Sequence, residues 1–391
     1  MQKTTGRFTL KSLTVFLGLV FWMAVSALPA NAVTTIADYA ILLDMTTGRV
    51  LFEKNADQQM PPASMSKMMT AYMLFEWLRD GSLTLDDTFT VSINAWRKGG
   101  KKSGSSTMFL EPGKKARVED LIRGIIVQSG NDACIVVAEG LASSEAAFAE
   151  EMTVRARELG MKNTAFKNAT GWPAPGHVST ARDLAVLAER TIRDFPVYYS
   201  FYSEKEFTYN AIRQINRNPL LYRDISADGL KTGHTLESGY GLTASATKGD
   251  RRLILVVNGL PSKKARRKEP ERLLAWGFRE FNNYKLFGAG EKVTDADVWL
   301  GQQDTVGLLI EKEMLLTLPR KARRKMKVSV QFQNPVPAPV SKGDQVAKLV
   351  VIVPGEATVE VPLVAANDVP RLGLLGRLGT ILEAIVWGDS R

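Results

Sequence analysis

Ser64 stands three residues before Lys67 in Pro62-Ala63-Ser64-Met65-Ser66-Lys67, at the mouth of the apolar run Met68 to Phe75. Residues three apart on an α-helix share a face, with Cβ atoms about 5–6 Å apart. A helix beginning near Ser64 therefore brings the Lys67 amine to the Ser64 hydroxyl. A serine hydroxyl is a poor nucleophile until an adjacent base takes its proton. Lysine can be that base only where burial or a second cation disfavours its charge, and Met65, Met68 and Met69 supply apolar surroundings. The plainer reading is an N-cap serine followed by a solvated lysine. A second pair of the same spacing, Ser245 and Lys248, shows how common the pattern is.

Two further stretches carry chemistry. In Gln128-Ser129-Gly130-Asn131-Asp132 the helical pattern from Val118 breaks, to resume over Ala133 to Leu141 with Asn131 or Asp132 as N-cap. A polar turn between two apolar helices lies near the core, and its groups need partners. Asp228-Gly229-Leu230-Lys231-Thr232-Gly233-His234-Thr235 leads into a hairpin, Tyr240 to Thr247 and Arg252 to Asn258. In a strand Lys231 and Gly233 face the same side, and the glycine leaves room for a ligand against the backbone.

The elements that must position these residues occupy a chain long enough for two domains: 391 residues, 45% hydrophobic and 24% charged. Lys3, Arg7 and Lys11, the apolar core Leu13 to Ala27 and the small-x-small Ala30-Asn31-Ala32 read as an export leader over 1–32. Of the net charge of +10, the leader supplies three, leaving about +7 on the mature chain. The basic clusters at 263–268 and 320–325 are solvated faces or meet an anionic lipid or wall polymer; export argues against nucleic acid. The single Cys134 excludes an internal disulfide and reads as a buried hydrophobe. Two histidines far apart, without a cysteine cluster, argue against metal chemistry.

Around the motifs, Tyr39 to Asp44 and Arg49 to Glu53 read as a hairpin, and Lys98 to Ser106 as an exposed loop. Helices are expected over Ser143 to Leu159, from Ser179-Thr180 to about Arg193, and over Glu269 to Phe281. After Gly288-Ala289-Gly290, six short strands between Val293 and Val364 form a small all-β domain without chemical motifs. At 100° per residue, Leu372, Leu374, Leu375, Leu378, Ile381, Leu382, Ile385 and Val386 share one arc, opposite Arg377, Thr380 and Glu383. Such a helix, about 25 Å long, suits lying in a membrane interface better than spanning one.

Taken in order, Ser64-x-x-Lys67, Ser129-x-Asn131 and Lys231-Thr232-Gly233 resemble the known motif set of the serine penicillin-recognising enzymes. The likeness is closer to the low-molecular-mass penicillin-binding proteins that are D-alanyl-D-alanine carboxypeptidases. It spans essentially the whole mature chain, through Pro62-Ala63-Ser64, Gln128 to Asp132, Ser179 to Asp183, Asp228 to Thr235 and Trp276-Gly277-Phe278-Arg279. The resemblance implies an α/β plus β architecture. A β-lactamase/transpeptidase-like catalytic domain (antiparallel sheet with helices) is expected over 33–287, a β-rich domain over 288–368 and an amphipathic anchor helix over 369–391.

The same resemblance implies acyl transfer on peptidoglycan stem peptides without a cofactor or metal. Ser64 would be the nucleophile, Lys67 its base, and the backbone N–H groups of Ser64 and His234 the oxyanion hole. Ser129 would relay a proton to the leaving D-alanine with Lys231 nearby, and Asn131 would orient Lys67 and the substrate amide. Thr232 and either Arg217 or Arg279 would hold the terminal carboxylate, with Gly233 beside them. β-Lactams would trap Ser64. The implied location is the periplasm, with residues 371–391 on the inner membrane surface. Ser66 stands where many relatives carry threonine, and Ser129-Gly130-Asn131 differs from the Ser-Asp-Asn of class A β-lactamases. No loop glutamate placed to activate a deacylating water is evident. A DD-endopeptidase, a β-lactamase and a non-catalytic wall-binding protein are the rival readings.

Overall fold

The computed structural model describes residues 33–387, so the leader read at 1–32 lies outside the described residues. A five-stranded antiparallel sheet forms the frame of the first part. Its strands are β1 (Tyr39–Asp44), β2 (Val50–Lys54), β3 (Ala227–Thr235), β4 (Gly239–Lys248) and β5 (Arg251–Leu260), in the order β2-β1-β5-β4-β3. Chain start and chain middle thus meet where Ile41 pairs with Val256. The run Leu253 to Val257 is wholly buried. A strand covered on both faces reads as continuous apolar sequence rather than alternation, which is why these two strands carry Ile-Leu-Leu and Leu-Ile-Leu-Val-Val.

Helix α1 (Lys67–Arg79) lies among the other helices. Lys67 through Phe75 are all buried, the pattern expected of a helix enclosed on every side. Around it come α2 (Ile93–Gly99), α3 (Val118–Arg123), α4 (Asn131–Ala142), α5 (Glu145–Glu158) and α6 (Ala181–Asp194). Thr180 caps α6 by accepting the Asp183 N–H at 3.0 Å, as its position ahead of the apolar pattern predicts. Helix α7 (Lys263–Glu280) packs on the sheet through Gly277, where an added Cβ would lie 2.9 Å from both Leu42 and Leu253.

Three local expectations are corrected. The stretch read as an exposed loop at Lys98 to Ser106 begins inside α2 and continues as a 3-10 turn, with Gly99 and Gly100 buried. A Cβ at Gly99 would sit 2.2 Å from the Asp132 nitrogen, so this glycine serves backbone contact with α4 rather than chain flexibility. The N-cap of α4 is Gly130; the Asp132 carboxylate is buried and accepts instead from Thr107, Met108 and Leu110. Helix α7 starts at Lys263, capped by Ser262, six residues before the expected Glu269, so the basic cluster forms its first turns.

Beyond α7, β6 (Phe281–Phe287), β7 (Lys292–Trp299), β8 (Thr305–Ile310), β9 (Met314–Pro319), β10 (Lys327–Phe332), β11 (Val336–Pro337), β12 (Gln345–Ile352) and β13 (Val359–Ala365) build the β-rich part. Six of them form a sheet ordered β10-β12-β13-β8-β7-β11, and β6 pairs with β9. Leu308, Ile310, Leu349, Val351 and Leu363 form the centre of its core. Arg251 ties the two parts together. It donates to buried Asp44 at 2.9 and 3.0 Å and to the Phe281 carbonyl at 2.7 Å. The chain then passes into α8 (Leu374–Trp387), where Leu374, Leu375, Leu378 and Ile385 are exposed. Among the described residues, no helix is long and apolar enough to cross a membrane.

Candidate active site

Ser64 sits in a 3-10 turn, Ala63–Ser66, that runs directly into α1. The three-residue spacing places the Lys67 amine 3.0 Å from the Ser64 hydroxyl, to which it donates. The same amine donates to the Thr170 carbonyl. Lys67 is fully buried, as are its neighbours in sequence Met65, Met68 and Met69. Burial pushes its amine down to about 8, with Arg217 pushing the same way and Asp132 and Glu145 opposing. Cys134 itself is driven up to about 12 by burial, so at neutral pH it is an uncharged thiol and lends Lys67 no countercharge.

Two glycines bring separate segments onto the Ser64 turn. Gly171 has φ +78°, and a Cβ there would fall 1.9 Å from the Ala63 carbonyl oxygen, so only glycine lets the Thr170 segment reach Lys67. Gly233 was expected to leave room for a ligand. The structure gives it another use: a Cβ there would lie 3.0 Å from the Pro62 carbonyl and 3.2 Å from Met65, so strand β3 packs straight against the turn.

Ser129 occupies the polar turn before α4 at φ +63°, a left-handed conformation that costs a non-glycine residue about 1–2 kcal/mol. Ser64, Ser129, Thr232, Gly233, His234 and Arg217 all line one cleft of about 600 Å³. Lys231 is buried close by. Burial holds its amine well below the usual lysine range, reinforced by the charges of Lys67 and Arg217. Asn131 is buried at the start of α4, and among the described residues its Oδ1 has no hydrogen-bond partner.

Of the two arginines expected to meet a carboxylate, Arg217 is in the cleft, where it donates to Ser106 at 2.5 Å. Arg279 is not. It lies in the last turn of α7, exposed and paired with Glu280 at 2.8 Å. Sequence reasoning missed Lys263 and Arg266, which also line the cleft. Arg266 donates to the Gly233 carbonyl at 3.1 Å and stacks on Tyr240. The lining contains these cations and no carboxylate, so it is built for an anion.

His177 sits behind the site, not in it. Its Nδ1 accepts the Lys167 N–H at 3.1 Å, so the proton is on Nε2, which donates to Ser66 Oγ at 2.8 Å. Ser66 in turn donates to the Ala63 carbonyl. Burial pushes His177 down to about 4, and as a neutral donor it braces the turn instead of activating Ser66.

A buried lysine at hydrogen-bond distance from a cleft-lining serine, where a central helix meets an antiparallel strand, with Ser129 and Lys231 beside it, defines a serine enzyme of the penicillin-recognising fold. Comparison with known proteins narrows the class. The family profile for D-alanyl-D-alanine carboxypeptidase matches residues 25–262, and that for the penicillin-binding protein 5 C-terminal domain matches 281–371. D-alanyl-D-alanine carboxypeptidase DacA of Escherichia coli strain K12 is 41% identical over 345 residues, 88% of this chain and 86% of that protein. The crystal structure of penicillin binding protein 5 from Haemophilus influenzae superposes with TM-score 0.75 at 37% identity, covering 88% of this chain and all of that one. That of the carboxypeptidase DacD from Francisella tularensis gives TM-score 0.79 at 28% identity, with 88% and 96% covered. The chain belongs to the D-alanyl-D-alanine carboxypeptidase family.

Proposed function

We propose that this chain is a serine DD-carboxypeptidase that removes the terminal D-alanine from peptidoglycan pentapeptide stems. The observation that carries the reading is the buried Lys67 amine at 3.0 Å from Ser64 Oγ, beside a cleft whose charged lining is wholly cationic. Ser64 Oγ attacks the carbonyl carbon of the penultimate D-alanine while Lys67 takes its proton. Backbone N–H groups of Ser64 and His234 receive the developing oxyanion, where fixed donors count most. Ser129 relays the proton from Lys67 to the departing D-alanine nitrogen, giving up its own and taking the other, Lys231 stabilises the transfer, and the C–N bond breaks. Asn131 orients the substrate amide. Water then cleaves the Ser64 ester, restoring the hydroxyl and releasing the shortened stem. A β-lactam enters as an acyl donor and traps Ser64 as an ester.

Arg217 and Thr232 hold the substrate's terminal carboxylate, a charge-assisted contact worth about 1.5–3 kcal/mol. Arg217→Gln is therefore expected to raise KM by about 10-fold or more, with Arg279→Gln unchanged. Equal effects of the two substitutions in steady-state assays would contradict this assignment.

The leader motif supports export to the periplasm, and the exposed leucines and isoleucines of α8 support attachment to the inner membrane surface. Deleting residues 371–391 should move the protein from the membrane pellet to the soluble fraction. Unchanged fractionation would refute the attachment. Carboxypeptidase and endopeptidase activity are separated by product analysis: free D-alanine from a monomeric pentapeptide supports the former, whereas cleavage of a crosslinked dimer alone replaces it with the latter.

A further inference from the structure

Five of the six residues at 263–268 are basic, and they form the first turns of α7. This is an unfavourable place for them. The N-terminal end of a helix carries partial positive charge and favours anions, yet the first turn of α7 holds no acidic residue. Lys263 and Arg267 lie one turn apart, as do Lys264 and Lys268, and like charges at that spacing destabilise a helix further. Lys263, Lys264, Arg267 and Lys268 are exposed, and none of them makes an ion pair among the described residues. The rest of the helix is different. Glu269 pairs with Arg272 at 2.7 Å, Glu271 with Arg223 at 3.0 Å and Glu280 with Arg279 at 2.8 Å. Lys263 and Arg266 line the Ser64 cleft, so the unpaired positive charge runs from the cleft onto the outer surface.

Concentrated charge of one sign attracts a partner of the other. On the export reading two polyanions come into question, anionic lipid and wall polymer. The geometry favours the second. Helix α7 extends about 27 Å from Lys263 to Glu280, where the β-rich part begins. Glu356 of that part meets Arg49 at the junction, and β13 carries the chain away from it, to leave at Arg371 beside Gly301. The patch and the start of α8 are thus separated by the length of α7 and of the β-rich strands. A bilayer held through α8 would lie far from the patch. We infer that Lys264, Arg267 and Lys268 form a docking surface, outside the cleft, for carboxylates of peptidoglycan stems neighbouring the one being cleaved. The inference rests on the carboxypeptidase reading, under which the cleft holds one stem of a polymer whose stems recur along each strand. A second contact made by the same polymer is intramolecular, so even weak ion pairs raise occupancy of the cleft.

The test combines Lys264→Gln, Arg267→Gln and Lys268→Gln in the mature chain, glutamine being a good helix former. Co-sedimentation with purified peptidoglycan sacculi and with vesicles containing phosphatidylglycerol is measured in the Ser64→Ala background. D-Alanine release from sacculi and from a soluble single-stem pentapeptide is measured with Ser64 intact. The triple variant is expected to bind sacculi at least about 10-fold more weakly and to lose a similar factor in kcat/KM on them. Its vesicle binding and its kcat/KM on the soluble pentapeptide should stay within about twofold. Raising salt from about 50 to about 500 mM should bring the unaltered protein down to the variant's level on sacculi. Equal sacculus binding by the two proteins overturns the inference, as does a loss confined to vesicles, which would assign the patch to lipid. An equal fall on the soluble pentapeptide overturns it too, since these cations would then serve the cleft itself. Should the unaltered protein release no D-alanine from any substrate, the carboxypeptidase reading fails, and sacculus co-sedimentation still decides the docking surface.

Discussion

Ser64→Ala is expected to lower D-alanine release on the order of 10⁵-fold while leaving peptide binding nearly intact. The variant loses the only group that can form the ester. It keeps Arg217 and Thr232 for the carboxylate and the strand and turn backbone for the oxyanion. Removing a nucleophile from a Ser-based acyl-transfer site costs about this much, because the remaining base then has no partner to activate. Steady-state release and calorimetric binding measured on one preparation check both halves. Release within about 100-fold of the unaltered protein would mean that another group carries the reaction.

Lys67→Met is the second large effect, and its two consequences run in opposite directions. Activity should fall by several powers of ten, since no neutral amine remains to take the Ser64 proton. Stability should rise. An amine with an ordinary value of 10.5 that falls to about 8 on folding makes the folded state less stable wherever it is protonated. That corresponds to about 3 kcal/mol at pH 7, at 1.36 kcal/mol per unit. The sign is fixed by direction. Below pH 8 both states carry the proton and the full cost applies; as pH rises from 8 to 10.5 the folded state sheds its proton first and the cost disappears. Denaturant unfolding of the Met variant should therefore show its largest gain at or below neutral pH and none above about 10.5. A destabilised Met variant at pH 7 would contradict the burial account. In the unaltered enzyme, the same amine makes acylation fall about tenfold per unit as pH drops below 8.

The three motifs proposed to carry the chemistry were legible because each rests on a local rule. Three residues make most of one helical turn, so Ser64 and Lys67 meet with little help from distant structure. Ser129 and Asn131 sit where a polar turn must interrupt two buried helices. The partners that came from elsewhere were not legible. Thr170 reaches the site only because Gly171 allows close approach to Ala63, and nothing in its own neighbourhood signals it. Arg266 was hidden for a different reason: it is one of five basic residues in six, and only the register of α7 turns it onto Gly233 and Tyr240. Arg279 was the reverse error, a family-like arginine that the same register leaves in solvent. The Gly/Lys/Ser stretch at 98–106 looked like surface because its glycines suit loops as well as they suit backbone packing. Strand β6 was passed over because Asn282 and Asn283 are poor strand formers, and its pairing with β9 overrides them.

The account stands or falls on a covalent ester at one serine. Mature protein is incubated briefly with benzylpenicillin, quenched, digested and examined by mass spectrometry. The account predicts one penicilloyl adduct, on the peptide that contains Ser64, and none on Ser66, Ser129 or Ser245. An adduct on another serine, or intact penicillin with an unmodified protein, would contradict it.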